Sequence, residues 1–127
     1  MSVITQSDIK RAETLHREAM ERLDEAQGAH ESSLVTERLE RAFELEREAA
    51  TAVADDTSFE PSRSILLRSA ATLALRCGEL REAERLVCLG LSGFPPDQIA
   101  EELRDLYDEI AARRAAQPRL SYLEKGD

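Results

Sequence analysis

The chain has no tryptophan, and its other aromatics are three phenylalanines and two tyrosines in 127 residues. Four prolines and five glycines leave few places where the backbone is forced to turn. Long β-branched stretches are missing, so no sheet is expected. Two cysteines, Cys77 and Cys88, are too few for a disulfide scaffold and point to a reducing compartment. No run approaches the roughly 18 consecutive apolar residues of a membrane span. The first ten residues, Met1 to Lys10, lack the basic region and apolar stretch of a secretory leader. These absences lead us to expect a soluble cytoplasmic protein that does not engage a membrane. Cations are the minority: 17 Lys and Arg face 26 Asp and Glu, for a net charge of −9 and a pI near 4.8. Such a chain repels phosphate backbones on average, so a nucleic-acid partner is not expected.

What the chain has in quantity is helix-forming residues. Apolar side chains make up 42% and charged ones 34%, dominated by Ala, Leu, Glu and Arg. The reading is all-α. A chain of this length fits one domain, which we place at residues 1–115, with a loosely held tail over 116–127.

Apolar residues at three-and-four spacing divide the domain into five helices. Ile9, Ala12, Leu15, Ala19, Leu23 and Ala26 predict a first helix from Asp8 to Gln27, capped by Ser7. Two acid-to-base pairs at four-residue spacing, Glu13 with Arg17 and Glu18 with Arg22, suit its exposed face. After Gly28, either Ser32 or Ser33 can cap a second helix whose face is drawn by Val35, Leu39, Ala42, Leu45, Ala49 and Val53, with Phe43 beside it. A loop over 55–60 precedes Pro61, which suits a first helical turn. The third helix is apolar around most of its circumference, from Ile65 to Leu75, and is therefore central. Gly78 ends it and turns the chain into a fourth helix carrying Ala83, Leu86, Val87, Gly90 and Leu91. Pro95 and Pro96 stop that helix, and Asp97 starts a fifth that buries Ile99, Leu103, Leu106, Ile110 and Tyr107. The two cysteines fall in apolar stretches, where burial is expected to make both thiols inert.

The placement of Ala71, Gly78, Ala83, Val87, Gly90 and Pro95 resembles the tetratricopeptide repeat family over Ser64 to Asp97. Small residues there let two helices approach, and the glycine and proline fix where each ends. Leu67 and Ala74 stand where that family commonly has aromatics. A degenerate copy of the frame covers His16 to Arg47, and the fifth helix, 97–115, takes the place of a cap. The whole chain looks similar to small bacterial proteins with this hairpin behind two long helices. The resemblance implies a right-handed array of antiparallel hairpins. It also implies a non-enzymatic adaptor that holds a peptide or protein on a groove lined by the first helix of each hairpin.

Carried onto this sequence, the groove positions are Ile65, Arg68, Thr72, Leu75 and Arg76, joined by Arg17, Met20 and Asp24 from the degenerate unit. Arg68, Thr72 and Arg76 recur every four residues, so two guanidinium groups share a stripe that could hold carboxylates. An acidic partner is the expectation from that stripe; its solvent edge is the plainer reading.

Three other readings compete. Glu13 and His16 form an E-x-x-H pattern, but Gln27 occupies the matching position before His30, so a two-metal carboxylate centre lacks its second half and no metal or cofactor is expected. Arg11 and His16 match the short R-x4-H pattern that helical ribonucleases carry, which makes a small ribonuclease the alternative enzyme reading. A self-associating protein, paired as a homodimer through the second helix and the tail, is the third. Glycine-rich phosphate loops, nucleophile elbows and C-x-x-C pairs are lacking.

Overall fold

Thr5 opens the first helix through a reciprocal pair of hydrogen bonds with Asp8. Its hydroxyl accepts from the Asp8 N–H at 3.1 Å, and the Asp8 carboxylate accepts from the Thr5 N–H at 2.8 Å. The helix, α1, therefore begins at Gln6 and runs Gln6–Gly28, with Thr5 rather than Ser7 as its cap. The computed structural model describes residues 4–117, and among them every regular element is helical: α1, α2 (Ser32–Val53), a 3₁₀ turn (Thr57–Phe59), α3 (Ser62–Arg76), α4 (Leu80–Leu91) and α5 (Asp97–Ala116). The all-α expectation holds, with each helix close to its predicted place. Neither Ser32 nor Ser33 caps α2; the residue before it is Glu31, which makes no side-chain capping bond. Pro61 precedes α3 instead of lying in its first turn, across a cis bond from Glu60. The predicted tail lies outside the described residues apart from Ala116 and Gln117.

Consecutive helices run antiparallel, and cross-helix bonds show it. Arg11 near the start of α1 meets Glu48 near the end of α2, while Glu25 at the end of α1 meets Arg38 at the start of α2. Arg63 at the start of α3 reaches Leu89 at the end of α4, and Glu84 early in α4 pairs with Arg114 late in α5. Helices α3 and α5 are consequently parallel, joined by Arg68 to Glu102 and by Arg113 to the Leu75 carbonyl. The helix α3 packs against α2, α4 and α5 and is buried on most sides, as its unbroken apolar run requires. By contrast α1 lies on α2 through Ala12, Ala19 and Ala26 and meets α3 only at its margin.

The small residues of the third and fourth helices do the work that their spacing suggests. Gly78 has φ +78°, a left-handed conformation that ends α3, and the Glu79 N–H closes the turn on the Ala74 carbonyl at 2.9 Å. At Gly90 a Cβ would come within 2.9 Å of the Leu103 side chain, so this position lets α5 lie directly on α4. Ala71, Ala74 and Ala83 are fully buried beside Leu67, Leu86 and Val87. On α5, Leu103 and Ile110 are buried and Ile99 and Leu106 half-buried. Tyr107 is 40% exposed, because α3 and α4 together cover only part of the final helix.

A polar knot ties the hairpins together. The Arg63 side chain, 3% exposed, donates to the Ala54 carbonyl at 2.5 Å and the Leu89 carbonyl at 2.8 Å, and pairs with Glu60 at 3.3 Å. Glu60 also accepts from the Ser64 N–H and hydroxyl and from the Phe94 N–H, all at 2.8 to 2.9 Å. Burial pushes Glu60 up, but these hydrogen bonds and the Arg63 charge bring its carboxyl below the ordinary range. The end of α2, the start of α3 and the loop after α4 thus share one satisfied network.

Two predicted ion pairs do not form. Glu13 and Arg17 make no ion pair among the described residues, and Arg22 sits among Glu21 and Glu25 instead of meeting Glu18. No described helix is long and apolar enough to cross a membrane.

Candidate functional site

Glu46 is the residue that composition and periodicity pass over. It falls between Leu45 and Ala49 on the inward face of α2 and is 0% exposed, whereas its neighbours Glu44 and Glu48 reach solvent. A buried carboxylate needs a partner. His16, facing it from α1, approaches both oxygens with Nδ1 at 2.8 Å. The bond fixes the imidazole in orientation and leaves Nε2 as the nitrogen not engaged by Glu46.

That ring forms part of the wall of a cleft between α1 and α3, about 220 Å³ in volume. From α1 come Ala12, Glu13 and His16; from the 3₁₀ turn, Phe59; from α3, Ser62, Ile65 and Leu66. The spacing explains this set: residues 12, 13 and 16 lie on one side of α1, and residues 62, 65 and 66 on one side of α3. Glu13 is exposed and has no hydrogen-bond or ion-pair partner among the described residues. The cleft is mostly apolar, with a carboxylate and an oriented imidazole on one wall. Among the described residues no three His, Cys, Asp or Glu side chains converge as metal ligands.

The residues predicted to line a groove are dispersed by this arrangement. Arg68 is half-buried and its guanidinium is bound to Glu102 of α5. The Thr72 hydroxyl donates to the Arg68 carbonyl within its own helix at 2.9 Å, as threonines inside helices often do. Leu75 is buried in the core. Arg76 and Arg17 are exposed and make no ion pair among the described residues, and Met20 is half-buried. Met20 lies one turn beyond His16 on α1, while Ser69, Thr72 and Arg76 continue the row that Ile65 begins on α3. Ile65 thus links the predicted stripe to the cleft. The E-x-x-H spacing was legible and does place Glu13 and His16 together; the buried Glu46 behind them was not.

Arg11 and His16 do not form one site. Arg11 Nη2 bonds Glu48 at 3.1 Å with 61% of its side chain exposed, and it is absent from the cleft wall. Five residues apart, the two side chains leave the helix about 140° from each other.

A second, wider cleft of about 560 Å³ lies between α4 and α5, lined by Cys88, Leu91, Ser92, Arg104, Tyr107 and Asp108. Cys88 is exposed there, which corrects the expectation of a buried thiol: it faces the open cleft beside α5 and not the core. Cys77 is half-buried, and burial, with the Glu40 and Glu79 charges, raises its thiol above the ordinary range while Arg76 opposes them.

Comparison with known proteins finds no match: no family model fits the chain, and no curated protein or solved structure is significantly similar to it.

Proposed function

We propose that this chain is a non-enzymatic binding module of the cytoplasm, built as a tetratricopeptide-like array of helical hairpins, that holds a peptide segment of a partner protein along the α1 and α3 surface. The observation that carries this reading is the cleft beside His16, where an apolar floor and two polar wall groups meet between the first helices of successive hairpins. The alternation of antiparallel neighbours and parallel odd-numbered helices supports the array. Arg17, Met20 and Arg76 would flank the seated segment, and Arg68 would serve it indirectly by holding α5 in place.

The ribonuclease reading loses support from the separation of Arg11 and His16. Self-association through α2 is opposed by the charged outer face of that helix, where Glu37, Glu40, Arg41, Glu44 and Glu48 are exposed. The test is affinity capture from a cell extract with the wild-type chain and with Ile65→Glu, which places a charge in the cleft, each checked for its thermal midpoint. A partner retained by wild type and lost by the variant supports the reading. Identical capture by both proteins, or RNA cleavage abolished by His16→Ala, would overturn it.

A further inference from the structure

The polar groups of the cleft wall specify the chemistry of what enters it. A carboxylate accepts, so Nδ1 of His16, 2.8 Å from both Glu46 oxygens, is the donor of that hydrogen bond. The tautomer with its hydrogen on Nδ1 presents Nε2 as a hydrogen-bond acceptor. Glu13, on the same wall and unpartnered among the described residues, is acceptor-only when ionised. Two acceptors side by side call for a donor.

The neighbouring cations do not supply it. Arg11 is bonded to Glu48, and Arg63 is buried on Ala54, Leu89 and Glu60. Lys10 and Arg17, one turn to either side of Glu13 on α1, are exposed and make no ion pair with it.

The opposite wall is apolar: Phe59, Ile65 and Leu66, with Ala12 beneath. At about 220 Å³ the cleft falls below the roughly 300–1,000 Å³ typical of small-molecule sites and suits one extended side chain. An aliphatic stem with a cationic head satisfies both walls, since lysine and arginine bury their stems while the charge stays at a polar rim. The net charge of −9 draws such a group in.

We propose that the cleft receives a lysine or arginine side chain from a basic peptide segment of the partner, its stem against Phe59, Ile65 and Leu66 and its head between Glu13 and His16. This rests on the binding-module reading above and reverses the acidic partner expected from Arg68 and Arg76, because Glu102 already occupies Arg68.

The test is selection of a random phage-displayed peptide library on the full chain, repeated on Glu13→Gln, Ile65→Glu and Arg81→Ala. Far-UV circular dichroism and thermal midpoints confirm that each variant folds. Enriched peptides should carry Lys or Arg beside an aliphatic residue. The synthetic peptides should bind Glu13→Gln about tenfold more weakly, the loss expected for one charge-assisted hydrogen bond, and bind Arg81→Ala, exposed on α4 away from the cleft, unchanged. Acidic or uncharged peptides whose binding is lost in Ile65→Glu would overturn the basic side chain and leave the binding module standing. No enrichment sensitive to Ile65→Glu would overturn both.

Discussion

Gly93 lies against the guanidinium of Arg63, so close that a Cβ at this position would collide with Arg63 Nη1 and come within 2.8 Å of Glu60 Oε2. Both neighbours are held by several hydrogen bonds and have little room to yield. Gly93→Ala should therefore destabilise the fold by about 1–3 kcal/mol, the usual cost of overpacking. Gly90→Ala meets only the Leu103 side chain, at 2.9 Å, a wider approach than that of Gly93 on Arg63, and should cost less. Urea titrations of both variants check the order; equal midpoints would show that the knot relaxes freely.

Removing His16 strands the buried carboxylate of Glu46. His16→Ala should destabilise the chain by about 1–3 kcal/mol, the cost of a buried polar group left without its partner. Glu46→Leu in the same background should recover much of that loss, because it removes the stranded group and fills the space. A double-mutant cycle followed by chemical denaturation measures the coupling; strictly additive losses would mean that the bond at 2.8 Å contributes nothing.

Acid should loosen the polar knot through Glu60. Its carboxyl is held below the ordinary glutamate value of 4.5, so it binds protons less readily folded than unfolded. Its contribution to stability is complete above about pH 4.5 and declines as the pH falls through the lower folded value. Glu60→Gln should flatten the stability–pH profile below pH 4.5 relative to wild type, read from thermal midpoints across an acid series. An unchanged slope would place the acid sensitivity elsewhere, with Glu82, lowered chiefly by its hydrogen bond from Arg85, as the next group to replace.

Thiol chemistry should separate the two cysteines. Cys88 is exposed, and Cys77 is half-buried with its thiol raised by burial and two nearby glutamates. Iodoacetamide under native conditions should label Cys88 first, with Cys77 following much more slowly. Peptide mapping by mass spectrometry reads the order, and comparable labelling would show that α3 opens readily at its end.

The helices were legible because a three-and-four apolar pattern admits little else, and Gly78, Gly90 and the proline pair at 95 and 96 mark real ends and contacts. The fine boundaries were less so. Ser7 reads as a cap in isolation, but Thr5 has the acidic residue three positions on that completes a reciprocal pair. Tyr107 reads as core until α5 is seen to rest on α3 and α4 with its remaining face open. The site was half legible: Glu13 and His16 share a face by spacing, whereas Glu46 is one glutamate among many until α1 is laid over α2. Arg68 reads as a free cation because its partner is 34 residues away on a helix whose docking angle no local pattern encodes.

The two walls of the His16 cleft stand on helices that scarcely touch, since α1 reaches the rest of the molecule through α2. Its width is therefore set by how the α1–α2 pair is seated on α3. Substitutions at buried positions such as Ala49, Ala50 and Val53 are expected to change affinity for the proposed guest without touching it.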